Sequence, residues 1–338
     1  MAYNFKNLVF EGGGVKGIAY VGAMEALLER GILQDIVRVG GTSAGAITAI
    51  LVGLNYSVEE MRDILWRLDF NNFMDDSWGM VRDSKRLIKE FCWYQGNFFR
   101  NWIGRIIEAK TGNSESTFAD VYAQKSSNGF KDLYFMGTNL STRFSEIFSY
   151  EHTPRICIAD AARISMSIPL FFAAKRNFRG DVYVDGGVLV NYPIKLFDRE
   201  KYINRGGRRT IYYDAHNQEL VASGKRISSY IYNKETLGFR LDSAKEIAVF
   251  RDQAEPQRRN VDDFFSYAWA LVETILEFQQ SIHLHDDDWQ RTIYIDTLGV
   301  KTTDFDLAED KKNRLVESGR NGVEKYFEWF DASNPANK

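Results

Sequence analysis

The chain has 338 residues, of which 44% are hydrophobic and 14% aromatic, and its formal net charge is −3. This size and apolar content allow a large buried core, which excludes a disordered protein. The weak negative charge gives no general attraction to nucleic acid or anionic lipid, so we expect no nucleic-acid partner. Cys92 and Cys157 match neither a disulfide framework nor a metal-ligand spacing. Without a secretory signal or a long apolar run, we expect a cytoplasmic protein with transient, peripheral membrane contact at most.

Two short apolar runs open the chain, and each leads through a glycine-rich turn into a helix. Leu8 to Phe10 predicts a strand, and the helix that follows from Ile18 to Glu29 ends at Gly31. Ile36 to Val39 predicts the second strand, and the small-residue helix from Gly45 to Leu54 is apolar enough to be buried. This order predicts a parallel sheet with both glycine turns at its carboxyl edge.

A third helix and an aromatic-rich insertion follow. Ser57 and Glu60 form a capping box for a helix that extends through Leu68. In the insertion, apolar residues recur at helical spacing from Phe98 to Ile107, opposite a basic face. Two interpretations stay open: an ordinary core-facing helix, or a lid or interfacial helix that touches lipid. The aromatic residues are Trp78, Phe91, Trp93, Tyr94, Phe98, Phe99 and Trp102, and the basic residues of the helix are Arg100, Arg105 and Lys110.

The middle of the chain returns to short strands. Leu133 to Gly137 predicts a central strand with Arg143 to Ser149 as its hairpin partner, and Ile158 to Ser167 predicts a small-residue helix. Val182 to Val184 predicts a strand that runs directly into Asp185-Gly186-Gly187. The carboxylate of Asp185 is thereby placed at the end of a strand.

The last third has mixed signals. Ile211 to Tyr213 predicts a strand, Asp262 to Ile282 a long helix and Ile293 to Ile295 a late strand. A final helix begins near Asp306 with Glu309 as its capping partner. Its predicted packing residues are Leu315, Val323, Tyr326, Phe327 and Phe330.

Two motifs carry chemistry. The run from Gly12 to Gly17 includes three successive glycines, which expose backbone N–H groups at a helix start where an anion can bind. In Gly41-Thr42-Ser43-Ala44-Gly45 the serine occupies the sharp strand-to-helix turn of a nucleophile elbow. A serine beside backbone donors is the minimum for acyl transfer, and a base is still needed.

The base has two kinds of candidate. A Ser-His-Asp triad would need one of four histidines, and of His152, His216, His283 and His285 only His216 follows a predicted strand to the active edge. Asp185 ends a strand and is followed by two glycines that leave space around it. A structural histidine and an aspartate that only makes a turn both remain open from the residues alone.

These motifs resemble, in order, those of the patatin-like phospholipase family. The glycine run resembles its oxyanion-hole motif, Gly41 to Gly45 its nucleophile elbow, and Asp185-Gly186-Gly187 its D-G-G motif. The blocks Ala161 to Pro169, where Ile164 departs from the usual alanine, and Asn191 to Pro193 are similar as well. The resemblance extends from about Asn7 to Phe197.

The resemblance implies a Ser-Asp dyad that hydrolyses membrane glycerophospholipids and releases fatty acid. Because the sequence has no C2-like calcium module or EF-hand loop, we expect no metal or cofactor. Ser43 would be the nucleophile and Asp185 the base, and such a dyad predicts no activity step near histidine's reference pKa of about 6.5. The amides of Gly12, Gly13, Gly14 and Ala44 would hold the oxyanion. Lys16 would add positive potential, although an exposed lysine at a helix start remains an equal alternative from the residues alone. The supporting glycines are Gly17, Gly41, Gly45, Gly186 and Gly187.

The expected fold is a three-layer α/β/α sandwich with a mostly parallel central sheet. We expect one domain over residues 1–338, with a core at about 5–215, the insertion at about 70–120 and a helical C-terminal cover at about 216–338. The partner is a phospholipid membrane, and neither an activating ligand or protein nor an oligomeric state is indicated.

Two rival interpretations use the same residues. Gly12, Gly14 and Gly17 also match a dinucleotide fingerprint, but the second strand lacks the acidic residue that would bind the ribose. The chain could also be an acyl-binding or interaction protein that has lost turnover.

Overall fold

The computed structural model describes residues 3–73, 92–177, 179–222, 228–242 and 287–332, with 261, 267, 270, 271, 274 and 275. The strands are β1 (Asn7–Phe10), β2 (Arg38–Gly41), β3 (Cys92–Tyr94), β4 (Asp132–Asn139), β5 (Phe144–Ser149), β6 (Leu170–Phe172), β7 (Lys175–Arg176), β8 (Val182–Asp185), β9 (Gly207–Arg208), β10 (Tyr232–Asn233), β11 (Thr236–Asp242) and β12 (Thr292–Asp296). The helices are α1 (Ala19–Glu29), α2 (Ala44–Gly53), α3 (Val58–Trp66), α4 (Asn97–Thr111), α5 (Phe118–Ala123), α6 (Lys125–Asn128), α7 (Ile158–Ser165), α8 (Gly187–Val190), α9 (Ile211–Ala222) and α10 (Glu309–Ala332). Short 3-10 helices cover Gly14–Ile18, Leu33–Asp35, Phe70–Phe73, Glu200–Tyr202 and Asp288–Arg291.

One central sheet organises the molecule, with strand order β12-β11-β1-β2-β4-β8-β7 and β5 paired to β4. The five strands from β12 to β4 are parallel to their neighbours, whereas β5, β7 and β8 join antiparallel. The predicted α/β fold with a mostly parallel sheet is therefore confirmed.

Alternating side chains divide the core between the two faces of the sheet. Leu8, Phe10 and their neighbours belong to the large apolar core that includes α1 and α2. Val9 and Tyr134 point to the other face, into a smaller core completed by residues from the segment 192–202. Helix α2 is buried at all ten positions, as its composition predicts.

The C-terminal helix α10 packs closely on α1. A Cβ at Gly319 would lie 1.9 Å from the carbonyl oxygen of Ala19, and one at Gly22 would lie 1.8 Å from that of Val316. Of the predicted packing residues, Leu315, Val323, Tyr326 and Phe327 are buried and Phe330 packs partly buried against the core. The helix begins at Glu309, slightly later than predicted.

The amphipathic helix of the insertion faces the core. Phe99, Ile103 and Ile107 of α4 are buried, while Arg100 and Lys110 form ion pairs on the outer side. The core-facing interpretation is therefore confirmed for this helix. Of the other predicted aromatic residues, Trp78 and Phe91 lie outside the described residues, as do the side chains of Trp93 and Tyr94.

One strand prediction is wrong, and one strand was missed. Ile211 to Tyr213 begins helix α9 instead of a strand: Ile211 is 90% exposed, and Tyr213 alone is buried, with its hydroxyl bound to Asp198. A single buried side chain does not need the alternation of a strand. Strand β11 was not predicted, although it lies between β1 and β12. The predicted helix from 262 to 282 lies almost wholly outside the described residues.

Candidate active site

Ser43 occupies a strained turn between β2 and α2. Its backbone has φ 53° and ψ −126°, an unusual conformation for a residue with a side chain. The turn also packs tightly on β1, because a Cβ at Gly45 would lie 2.4 Å from the carbonyl oxygen of Phe10. A Cβ at Gly41 would in turn lie 2.3 Å from the carbonyl oxygen of Gly45. The side chain of Ser43 is thereby held in one place at the carboxyl edge of the sheet.

Asp185 reaches Ser43 because β2 and β8 share one edge of β4. Strand β5 occupies the other edge, while β2 pairs with β4 as far as Gly41 opposite Phe135. Strand β8 takes up the same edge beyond that point, with Asp185 opposite Gly137. Two residues past Gly41, Ser43 lies near the level of Gly137. The carboxyl end of β8 and the turn after β2 therefore lie next to each other along the same edge of β4.

The carboxyl group of Asp185 is deeply buried. Burial raises its pKa to about 7, against smaller lowering effects of the Gly187 N–H and the Ser43 hydroxyl. Oδ1 accepts a 2.7 Å hydrogen bond from the Gly187 N–H, whereas Oδ2 has no partner within the described part of the chain. An activity step near neutral pH is thus expected from the carboxyl itself, contrary to the expectation from the sequence.

Residues of the α7 segment support Ser43. Its backbone N–H donates to the hydroxyl of Ser165 at 3.0 Å, and its own hydroxyl donates to Met166 Sδ at 3.5 Å. The carbonyl of Ser167 accepts the backbone N–H of Asp185 at 2.8 Å. This short stretch therefore contacts both members of the predicted dyad. The block from Ala161 to Pro169 resembles a family motif, but its contacts with Ser43 and Asp185 were not predicted from the sequence.

The glycine-rich loop lies directly beside Ser43. A Cβ at Gly12 would come within 3.0 Å of Ser43 Cβ. No hydrogen bond in the described part of the chain uses the N–H groups of Gly13, Gly14 or Ala44, which leaves them available to an anion. The N–H of Gly12 is already donated to the carbonyl of Asn191 at 3.2 Å. In this structure the Gly12 N–H is therefore not free to bind an oxyanion.

Glu11 and Asn191 fix this loop from behind. The side-chain amide of Asn191 donates to Glu11 Oε1 at 3.3 Å and to the carbonyl of Gly12 at 3.2 Å. Glu11 Oε2 accepts the N–H of Leu241 at 2.7 Å, and burial raises the pKa of this carboxyl to about 7. Lys16 is 93% buried next to the loop, and its charge lowers the pKa of Glu11. Both Glu11 and Asn191 were missed as site residues.

An apolar pocket opens next to the free amides. It is bounded by Gly14 and Ala44 on one side and by the rings of Phe70 and Phe305 on the other. The two rings stack at 5.8 Å between centroids. Thr302, just before Phe305, accepts the N–H of Val15 at 3.3 Å. Gly14, with φ +54°, has no room for a Cβ, which would lie 2.2 Å from the carbonyl oxygen of Thr302.

The described histidines lie elsewhere. His152 Nδ1 is 2.7 Å from the hydroxyl of Ser149. His216 lies on α9 next to the rings of Tyr212 and Tyr230. Neither hydrogen-bonds with Ser43 or Asp185, whose described partners are given above. His283 and His285 lie outside the described residues.

The supporting glycines pack closely around the site. A Cβ at Gly17 would lie 3.3 Å from Ala44 Cβ, and one at Gly186 would lie 2.5 Å from the carbonyl oxygen of Met136. Gly187, the donor to Asp185, begins α8. Among the described residues, no helix combines the length and the hydropathy that a bilayer span requires.

Comparison with known proteins adds an independent line of evidence. Residues 8–198 match the family model described as patatin-like phospholipase. An uncharacterised protein of Acanthamoeba polyphaga mimivirus is 34% identical over 194 residues, which are 57% of this chain and 61% of that protein. The chain thus spans about three fifths of that relative. The uncharacterised protein YqhO of Bacillus subtilis is 27% identical over 327 residues, or 94% of this chain and 97% of YqhO.

The fold also has a counterpart among solved structures. VipD from Legionella pneumophila superposes with a TM-score of 0.63 at 18% identity, covering 97% of this chain and 67% of that one. At this identity the likeness concerns the fold alone. It includes the C-terminal part, which the family model does not reach.

Proposed function

Because this chain belongs to the patatin-like phospholipase family, we propose that it is a lipid acyl hydrolase that cleaves acyl esters of glycerophospholipids. The observation that carries the proposal is the unpartnered, buried Oδ2 of Asp185 next to the hydroxyl of Ser43. A buried carboxylate without a hydrogen-bond donor is costly unless it has a use. Accepting the proton of a nucleophile is such a use.

The reaction proceeds in two balanced steps. The Ser43 O–H turns about the Cβ–Oγ bond from Met166 Sδ to Asp185, whose Oδ2 takes its proton as Oγ bonds to the acyl carbon. The carbonyl electrons move to the oxygen, and collapse of this tetrahedral intermediate expels the alcohol, which receives the proton from Asp185. In the second step Asp185 takes a proton from water as the hydroxide attacks the acyl-enzyme. Collapse releases the fatty acid and returns the proton to Ser43.

The negative charge of each intermediate is held by the amides of Gly13, Gly14 and Ala44. These donors are preorganised at the start of two helical segments, so they do not reorient during the reaction. Loss of one such donor costs about 3 kcal/mol in the barrier. Lys16, buried next to this loop, adds positive potential for the oxyanion or for a lipid phosphate.

The apolar pocket favours an acyl group over a small polar one. Gly14 and Ala44 line this pocket and carry two of the amides assigned to the oxyanion, so the pocket is placed to receive an acyl chain bound at those amides. Burial of each methylene contributes about 0.8 kcal/mol. A long acyl ester is therefore the expected substrate class.

Covalent labelling tests the proposal. A fluorophosphonate probe should label the protein and lose this label in Ser43→Ala, while Asp185→Asn should lower ester turnover at least about a hundredfold, the usual contribution of a general base. The control is Ser126→Ala, which removes an exposed hydroxyl on α6 and should label like the unmodified chain. Wild-type turnover in Asp185→Asn would refute the dyad. If the probe does not label the protein but the protein binds fatty acid, it is a silent acyl-binding protein instead.

A further inference from the structure

Two neighbouring hairpins project beyond the proposed catalytic residues. Ser43 and Asp185 lie near the level of Gly137 in β4, but β4 continues to Asn139 and turns back only at residues 140–143. At roughly 3.3 Å per residue, the tip of this hairpin stands about 10 Å above the dyad. The second hairpin, between β7 and β8, lies at its side: the N–H of Leu140 donates to the carbonyl of Val182 at 2.8 Å.

The first tip exposes large apolar side chains. Phe144 is 71% exposed and Leu140 is 48% exposed, with Arg143 between them on the turn. Exposed apolar side chains flanked by basic ones are typical of surfaces that enter the headgroup boundary of a bilayer. The β4–β5 ladder ends at the pair Asn139–Phe144 and is formed by the backbone, so it does not depend on apolar side chains at these positions.

The second hairpin adds positive charge on the same rim. In β7, Arg176 is exposed and donates to the carbonyl of Gly180 at 3.3 Å, whereas Lys175 is half-buried. The acidic side chains nearby are engaged within the hairpins: Glu146 accepts from Asn139 and Tyr183, and Asp181 accepts from Asn177. Arg143 and Arg176 are therefore exposed cations at these two hairpins, on a chain whose net charge is negative.

We propose that these two hairpins dock the protein on a bilayer that contains anionic phospholipid. The docking surface consists of Leu140, Arg143, Phe144 and Arg176. Because the substrate is drawn from the same membrane, the proposal extends the proposed function. Apolar insertion by Leu140 and Phe144 supplies affinity, and the basic side chains select anionic headgroups.

Two of the other surfaces that could contact lipid are either buried or placed elsewhere. The basic amphipathic helix α4, the other candidate from the sequence, has its apolar face in the core and is not available to lipid. Ile211 and Val221 of α9 are also exposed, at 90% and 82%. That helix packs at the opposite edge, since Tyr213 binds Asp198, which pairs with Arg291 immediately before β12.

Vesicle flotation tests the proposal with Ser43→Ala protein, which cannot consume the lipid. We expect it to float with vesicles of phosphatidylcholine and phosphatidylglycerol. Leu140→Ser with Phe144→Ser should lower the partition coefficient at least about tenfold. Arg143→Glu with Arg176→Glu should lower it on these vesicles by roughly fivefold or more per charge, and less at high salt. The matched control, Ile211→Ser with Val221→Ser, should bind normally.

The outcomes separate docking from catalysis. The docking variants, with Ser43 intact, should hydrolyse a soluble short-chain ester at the normal rate and melt normally. Unchanged vesicle binding by the Leu140/Phe144 variant, equal loss in the α9 control, or no binding by the Ser43→Ala protein would overturn the docking surface. The docking surface would also be overturned if the unmodified protein were a dimer that the Leu140/Phe144 variant dissociates, because these residues would then serve self-association. Vesicle binding without fluorophosphonate labelling would instead overturn the proposed function alone.

Discussion

At the scale of single residues, the site depends on the environment of one carboxyl group. Asp185 is buried, with one oxygen bound to the Gly187 N–H and the other unpartnered among the described residues. Burial disfavours the charged form, which raises the pKa of Asp185 to about 7 and makes it a stronger base than an exposed aspartate. Such a shift brings a carboxyl close to the pKa that suits a general base at neutral pH.

The pH dependence of turnover follows from this shift. Asp185 accepts a proton only when it is ionised, so kcat/KM on a soluble ester should rise as the pH increases through about 7 and then level off. This limb belongs to the carboxyl, so it should persist in His152→Ala and His216→Ala. A rate profile that stays flat from acidic to neutral pH, or one that loses its limb with either histidine, would contradict the assignment.

At the scale of elements, a segment outside the matched family region completes the pocket. The family match ends at residue 198, whereas Thr302 and Phe305 lie between β12 and α10. Thr302 hydrogen-bonds to the glycine-rich loop, and Phe305 contacts both Phe70 and Phe171. The wall of the apolar pocket is therefore made by two distant parts of the chain.

Truncation of this wall should change acyl-chain selectivity. Phe305→Ala enlarges the pocket beside Ala44, so the ratio of kcat/KM for long over short acyl esters should rise about tenfold, a change typical of altered apolar pockets. Phe330→Ala is a suitable control, because this ring packs against Tyr3 and Phe5 instead. An identical chain-length profile in the two variants would remove Phe305 from the acyl site.

At the scale of the whole molecule, a buried ion network joins the family region to the C-terminal part. Arg291, before β12, forms a bidentate pair with Asp198 at 2.5 and 2.7 Å and also binds Asp288 at 2.7 Å. All three side chains are at most 2% exposed. Breaking such a network leaves uncompensated buried charge. This buried network and the tight α1–α10 contact support the proposal of a single domain.

Removal of the shared cation should therefore destabilise the entire protein. Arg291→Met leaves Asp198 without an ion-pair partner and Asp288 with only Lys195, 3.7 Å away. We expect a loss of about 3–5 kcal/mol in the free energy of unfolding. Denaturation followed by fluorescence and by ester hydrolysis should show one transition with a common midpoint. The exposed Arg155→Met should unfold like the unmodified protein. Separate transitions would mean that the C-terminal cover is an independent domain.

Local patterns in the sequence determined much of this protein. The capping box at Ser57, the glycine turns and the elbow around Ser43 were predictable, because they depend on interactions within a few residues. The family motifs likewise indicated Asp185. Strand β12 and the core face of α10 followed from their periodicity.

Only the tertiary structure decided how distant segments meet. The shared edge of β4 brings Asp185 to Ser43, the carbonyl of Asn191 takes up the amide of Gly12, and the core takes up the apolar face of α4. Tertiary contacts also make a helix of the stretch after Thr210, whose composition predicts a strand. Each of these outcomes depends on contacts between residues far apart in the chain, which periodicity and local propensity do not report.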